Sequence, residues 1–298
     1  MYVFVTGATG FLGSAVVREL IGAGHQVLGL TRSEAGAESL IAAGAQVHRG
    51  DLADLESLRK GVAMSDGVIH TAFNHDFSNY LANCEDDGRI IEALGSALAG
   101  SGRPLLITSG TGMADSAPGQ LATEDDVAAS SAAVPRSASE EAAASVAAKG
   151  VRVSVVRLPQ VHNTVKQGLV TYAIELARQK GVSAYVGDGR NRWPAVHVLD
   201  AALLYRLALE KLEIGARYHA VAEEGVPMRD IAEVIGRGLK VPVISVSQEE
   251  APAHFGWLAA FAGRDEPASS ALTQEQLGWR PTGPGLIADL EQMRDLEA

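Results

Sequence analysis

The sequence predicts an α/β protein, a doubly wound parallel sheet followed by a smaller, mostly helical lobe. Three observations carry this. The chain opens on a short apolar run, residues 2–6, that enters a glycine-spaced loop and then a helix-compatible run. As far as residue 157, short β-rich runs alternate with helical patterns, the order that builds a parallel sheet covered by helices on both faces. From Pro227 onward helical patterns dominate.

The first strand and its loop hold the strongest signal. Gly7, Gly10 and Gly13 have the spacing G-x-x-G-x-x-G, set in Thr6-Gly7-Ala8-Thr9-Gly10-Phe11-Leu12-Gly13, with a helix expected over 14–23. Gly7 permits a tight turn, Gly10 lets backbone approach a pyrophosphate, and Gly13 lets helix pack on strand, while the helix N-terminus offers N–H groups to phosphates. This strand–turn–helix context makes the fold class Rossmann-type and points to a dinucleotide. The second strand, 26–30, runs into Thr31-Arg32-Ser33, where an NAD site has an acidic residue for the ribose hydroxyls. Arg32 and Ser33 are therefore candidates for the 2′-phosphate of NADP(H), with NAD(H) as the other possibility and a solvated loop arginine as the plain reading.

Further strands are expected at 46–49, 67–71, 104–108 and 151–157, and helices near 34–43, 54–61, 85–99 and 137–148. Thr6, Arg32, Asp51, Thr71 and Ser109 all fall at or just beyond carboxyl ends of strands, where such sheets bind ligands. The Gly/Ser/Ala/Asp-rich stretch 110–135 reads as a loop bordering the active site. A helix over 164–180, a turn at Gly187-Asp188-Gly189, a helix over 199–211 and a strand over 217–222 follow. Helices come next at 228–239, 251–263, 273–277 and 285–297, with a short apolar run at 241–246. This divides the chain into a dinucleotide-binding domain, 1–160 with 193–222 returning to it, and a smaller substrate-binding lobe of 161–192 and 223–298, with a cleft between.

Composition bounds the function. At 298 residues with a net charge of -11 and no basic stripe, nucleic acid is not an expected partner. No run reads as a signal peptide or spans a bilayer, and the single Cys84 fits a reducing compartment, so a cytoplasmic protein without membrane contact is expected. Cys84 reads as a packed thiol, and no metal is expected.

The chain resembles the extended and atypical branches of the short-chain dehydrogenase/reductase superfamily, the NAD-dependent epimerase/dehydratase-like group. The resemblance rests on the glycine loop, Gly50-Asp51-Leu52, His70-Thr71-Ala72, a strand ending in Thr108-Ser109, Arg157-Leu158-Pro159 and His197-Val198-Leu199-Asp200, in the family's order along essentially the whole chain. It implies that Gly7, Thr9, Gly10, Phe11, Leu12 and Gly13 seat the cofactor and that Asp51 accepts from the adenine amino group with Leu52 on the ring. It further implies that Thr71, Ala72 and Phe73 line the middle of the cofactor and that Pro159 to Val161 border the nicotinamide. His70, His197 and Asp200 read as structural residues. A homodimer through the helices at 85–99 and 137–148 is a further possibility.

The family's chemistry rests on a serine or threonine ending the fifth strand and on Tyr-x-x-x-Lys at the next helix. Ser109 matches the serine, with Thr111 nearby, but Ala132 stands in the tyrosine position and Arg136 in the lysine position. Arg136 keeps a charge that can hold ribose or phosphate, yet a guanidinium is no general base. Pro135 and the Ser137-Ala138-Ser139-Glu140 capping-box pattern place it at a helix entrance. His75 beside Asp76, Tyr80, and His162 in Pro159-Gln160-Val161-His162-Asn163 are the candidates for the missing proton donor. Trp193 reads as lobe-interface core, and Arg190, Arg192 and Lys166 are the cations that an anionic substrate would meet.

Three readings follow: an NADP(H)-dependent oxidoreductase moving hydride to or from a small or medium carbonyl or alcohol substrate, a non-catalytic NAD(P)-binding redox sensor, and an epimerase or dehydratase that recycles its cofactor internally.

Overall fold

The computed structural model describes residues 1–117, 119–211 and 213–293. Strands β1 (Tyr2–Thr6), β2 (Gln26–Thr31), β3 (Gln46–Arg49), β4 (Gly67–His70), β5 (Pro104–Gly110), β6 (Arg152–Leu158) and β10 (Arg217–His219) form one sheet in the order β10-β6-β5-β4-β1-β2-β3. Every pairing in it is parallel, with Val5 opposite Gly29 on one side and Ile69 on the other. The order reverses between β1 and β4, so the loops after these two strands part and leave a crevice at their carboxyl ends.

Alternation along β1 divides the core. Val3 and Val5 join a cluster with helices α1 (Phe11–Gly22) and α7 (Val198–Lys211), while Phe4 faces the opposite cluster under α3 (Leu55–Ala63), α4 (Tyr80–Leu98) and α5 (Ala138–Ala148). Burial on both faces explains why these strands read as continuous apolar runs. Helix α2 (Glu34–Ala42) is capped by Ser33, whose Oγ accepts from the Gly36 N–H at 3.1 Å.

The second lobe has its own core around Trp193, Ile231, Ile235 and Leu286. It contains α6 (Val170–Lys180), α8 (Met228–Leu239), α9 (Ala251–Phe255), α10 (Ala259–Ala262) and α12 (Leu286–Glu291), with α11 (Ala271–Leu277) against α7 and β10. The fold is thus the doubly wound parallel sheet with a smaller, largely helical C-terminal region that the sequence predicts.

Several boundaries differ from the expectation for identifiable reasons. Helix α4 starts at Tyr80 rather than 85, because Asp76 caps a 3-10 turn, 77–79, that feeds straight into it. Residues 160–162 form strand β7, which pairs with β9 (Arg192–His197), itself paired with β11 (Glu223–Pro227), as a separate three-stranded sheet. The run 241–246 supplies β12 (Val243–Val246), parallel to β8 (Ser183–Val186). Such pairings join runs too short for periodicity to mark. The helix expected over 251–263 is broken by a 3-10 turn at 256–258, where Gly256 has φ +56. Residues 294–297 of the expected last helix lie outside the described ones.

The described residues 119–135 are anchored. Glu124 Oε1 accepts from the Thr273 N–H and hydroxyl at 2.7 and 2.6 Å, and carbonyls of Glu124 and Asp126 accept from Arg217 and Arg157 at 2.9 and 2.8 Å.

Candidate active site

A cavity of about 680 Å³ opens where the strand order reverses, lined by Gly7, Thr9, Arg32, Ser33, Asp51, Leu52, Ala72, Phe73 and His75. Its volume is in the range of a cofactor site. The glycine loop shapes its floor. Gly7 has φ +68, and a Cβ there would stand 2.7 Å from the Ala72 nitrogen; a Cβ on Gly13 would stand 2.0 Å from the Gly7 carbonyl oxygen. Thr71 props the loop from just beyond β4, its Oγ1 donating to the Thr6 carbonyl at 2.8 Å. No side chain caps α1 at Gly10, so the N–H groups of its first turn at Phe11, Leu12 and Gly13 lack partners from a cap and suit a pyrophosphate.

Asp51 sits at the other end of the cavity with its carboxyl held below the usual range, first by the Ala53 N–H and also by Arg32 at 3.4 Å. Arg32 is 82% exposed, and Ser33 is spent on capping α2.

The Arg136 guanidinium is largely buried. It donates from one terminal nitrogen to Asp87 Oδ2 at 2.8 Å and to Ser139, and from the other to the Thr108 carbonyl at 3.0 Å, and it lies 4.2 Å over the Phe73 ring. Asp87 also accepts from His70 Nε2 at 2.9 Å, and His70 Nδ1 meets Thr6 Oγ1 at 2.6 Å. One polar chain therefore runs from the glycine loop through His70 and Asp87 to Arg136 under the ring that lines the cavity. Burial pulls the Asp87 carboxyl upward but is outweighed by Arg136, His70 and Ser139, so its pKa lies below the ordinary value. A depressed carboxyl stabilises the fold above its unfolded pKa and loses that contribution as pH falls through the folded one. Urea midpoints of the parent should therefore fall steeply below about pH 4, and Asp87→Asn should flatten that limb while lowering stability at pH 7.

Ser109, at the carboxyl end of β5, is buried with an Oγ that has no hydrogen-bond partner. Thr111 is buried just beyond it. Of the three candidates for the missing donor, His75 is at the cavity wall with its ring 5.3 Å from Phe73 and 6.2 Å from Phe77. Its outer edge is open to solvent, but protein packed on its other sides and the charges of Lys166 and Arg136 pull its pKa below the ordinary histidine value. Tyr80 is pushed up to about 12, mainly by burial. His162 has no exposed surface; its Nδ1 meets Asp289 Oδ2 at 2.7 Å and its Nε2 lies 4.0 Å from Glu223, so it ties β7 to α12 within the second lobe. Pro159 is half-buried and Val161 packs in the core with α7.

In the lobe, Arg192 is bound through two nitrogens to Asp265 at 2.9 and 2.8 Å, Arg190 lies 3.6 Å from Asp188, and Trp193 is fully in the core. Residues that sequence reasoning left out are also here. Glu266 lies against Gly112, where a Cβ would be 3.0 Å from its carboxylate, and its pKa is raised chiefly by burial. Phe77, Trp257 and Phe261 meet across the cleft at 4.1 to 6.3 Å. Neither group has a sequence signature, because its members come from segments more than 150 positions apart.

The model of the NAD dependent epimerase/dehydratase family matches residues 3–221. The chain belongs to that family. As such it is an NAD(P)-binding enzyme with oxidoreductase character, and the reading as a non-catalytic sensor loses its support. A Schizosaccharomyces pombe protein described as uncharacterized is 52% identical over 97% of this chain and 98% of its own. A 2-alkyl-3-oxoalkanoate reductase of Stenotrophomonas maltophilia is 32% identical over 81% of this chain and 77% of its own. Among solved structures, a dTDP-glucose 4,6-dehydratase from Streptomyces venezuelae with NAD and TYD superimposes with TM-score 0.79 at 19% identity, covering 98% of this chain and 95% of that one. A UDP-glucose 4-epimerase from Thermus thermophilus in complex with NAD gives 0.76 at 20% identity, covering 99% and 98%.

These family structures correct the expectation of NADP(H): both hold NAD. The physical reason is visible in this chain, where the pair meant to grip a 2′-phosphate is not arranged for it, with Arg32 turned to Asp51 and Ser33 spent on its helix. The loop, first-turn N–H groups and Asp51 suit the dinucleotide common to both cofactors. Among the described residues, no helix is long and apolar enough to cross a membrane, and no cluster of His, Cys, Asp and Glu could hold a metal.

Proposed function

We propose that this enzyme uses NAD(H) to transfer hydride to or from the carbon of a small or medium carbonyl or alcohol, with Ser109 holding the reacting oxygen. The observation that carries this is the buried, unpartnered Ser109 hydroxyl at the carboxyl end of β5, the strand next to β4 and so one strand from the point where the order reverses. A buried hydroxyl without a partner is costly, and a substrate oxygen would relieve it. NADH, when bound, supplies the hydride and leaves as NAD⁺. In reduction the carbonyl π pair moves onto oxygen, Ser109 stabilises that charge, and a proton completes the alcohol. His75 is the group assigned to this proton, because it lies at the cavity wall. Its pKa, held below the ordinary histidine value, favours the neutral imidazole, which takes the alcohol proton in the oxidising direction and, in reduction, passes on a proton that it first takes from solvent at its open edge.

Relatives support the reading, since the 32% identical protein is named a reductase of an oxo compound. Family membership and the two sugar-nucleotide enzymes favour a second reading, an epimerase or dehydratase with internally recycled NAD. The two part in one cuvette: net NADH loss with a carbonyl panel supports the first, and conversion of UDP-glucose without net NADH change supports the second. With an active carbonyl, Ser109→Ala should lower kcat by roughly 10²–10³ with NADH affinity unchanged; a variant as active as the parent sinks the assignment of Ser109. Homodimerisation through α4 and α5 belongs to the same proposal, and its check is the mass by light scattering.

A further inference from the structure

We infer that the roof of this cleft takes a flat, conjugated carbonyl compound, an aryl ketone or fused-ring quinone, between Phe77 and Trp257. The inference rests on the oxidoreductase reading for the reacting group but on different residues. Phe77 sits on the 3-10 turn after β4 and Trp257 on the 3-10 turn after α9, so the two come from opposite lobes. Their rings stack at 4.1 Å with 8° between planes, the geometry a flat ligand adopts against either face. Around the stack stand Tyr80 at 5.7 Å from Phe77, Tyr172 at 5.0 Å from Trp257, and Phe261 at 6.3 Å from both.

The concentration is notable for this composition. With only 6 Phe, 6 Tyr and 3 Trp in the chain, the roof and the adjoining Phe73 gather three Phe, two Tyr and one Trp. The patch is continuous with the cofactor cavity, since Phe73 and His75 line that cavity and His75 also meets Phe77. Trp257 is 41% exposed, so the stack is reachable from solvent. Inserting a flat ring exchanges one ring contact for two and requires the turns that carry Phe77 and Trp257 to part by one ring thickness.

Charge argues for an apolar occupant. Arg264 lies 5.7 Å over Phe261 and pairs with Glu266 at 3.5 Å, and Arg192 is held by Asp265 through two nitrogens. A diphosphate beside Phe261 would meet those carboxylates with Arg192 and Arg264 already paired, and the remaining cation of the cleft, Lys166, acts on the His75 side, toward the cofactor cavity.

The test is isothermal titration of the NAD-loaded protein with three probes: 2-acetylnaphthalene, cyclohexyl methyl ketone and UDP-glucose. The flat ketone should bind, the puckered one should bind about tenfold or more weakly, and UDP-glucose should give no heat. Phe77→Ala and Trp257→Leu should each weaken the flat ketone about tenfold, while Trp257→Phe retains it and NAD affinity stays the same in all three. Equal binding of both ketones, binding indifferent to Phe77→Ala and Trp257→Leu, absence of flat-ketone binding, or heat from UDP-glucose overturns the inference. If the flat ketone binds in the expected pattern but NADH never reduces it, the inference stands and the proposal of net carbonyl reduction fails.

Discussion

A Gly13→Ala variant is expected to lose NAD binding, by more than about a hundredfold, and to melt well below the parent. The added methyl would stand 2.0 Å from the Gly7 carbonyl oxygen and 2.7 Å from its carbon, and both are backbone atoms that cannot rotate away. Either α1 lifts off β1 or the loop opens. Helix α1 is held from beneath by Ala15, Val16, Val17 and Leu20, all buried in the cluster shared with α7, so lifting it disrupts core packing. Opening the loop instead removes the turn that aims the first-turn N–H groups. Overpacking of this kind costs about 1–3 kcal/mol, which thermal melting will register. Gly22→Ala is the matched control, because nothing lies within 4 Å of its Cβ position; it should be neutral or slightly stabilising. Titration of both variants with NAD decides the matter: a Gly13→Ala protein that binds like the parent would falsify the placement of the pyrophosphate at this loop.

The second large effect is expected from Glu140→Ala. Arg157 on β6 has no exposed side-chain surface, and its guanidinium meets Glu140 through Nε and a terminal nitrogen, both at 2.8 Å. Its remaining contacts are the Asp126 carbonyl at 2.8 Å and His219 Nε2 at 3.3 Å. Truncating Glu140 leaves a buried cation without its counter-charge, which costs about 3–5 kcal/mol. The urea midpoint should drop accordingly. The double variant Glu140→Leu with Arg157→Met should recover part of the loss, since it removes the stranded charge along with the pair. A midpoint shift below about 1 kcal/mol for Glu140→Ala would mean that water reaches Arg157 and that the pair is a surface one.

Glu140 also marks where local sequence reading stopped. The Ser137-Ala138-Ser139-Glu140 pattern predicts a capping box, but Ser137 makes no cap hydrogen bond and Glu140 turns to Arg157 instead. Ser139 goes to Asp87 at 2.5 Å. A capping box competes with any stronger partner in reach, and a buried guanidinium is stronger than a backbone N–H. Arg136 shows the same limit. Its place at a helix entrance was legible, yet its guanidinium is directed to Asp87, 49 positions away on α4, and nothing on α4 announces that meeting.

Everything carried by local pattern is legible in the sequence. The glycine spacing, the alternation of apolar runs and helical stretches, and the order of the short motifs set the parallel sheet, its crevice and the cofactor loop, because backbone conformation and one-sided burial are properties of neighbouring residues. The cofactor's ribose end was different: Arg32 as a residue suggests a phosphate, and only the fold shows it beside Asp51, with Ser33 bound to its own helix. The small sheets built on β7, β8 and β12, the tie of His162 to Asp289, and the aromatic roof of Phe77, Trp257 and Phe261 were likewise decided by tertiary structure alone. Each joins segments distant in the chain, and which distant side chains meet depends on how two separately packed cores come to rest on each other, which no local periodicity encodes.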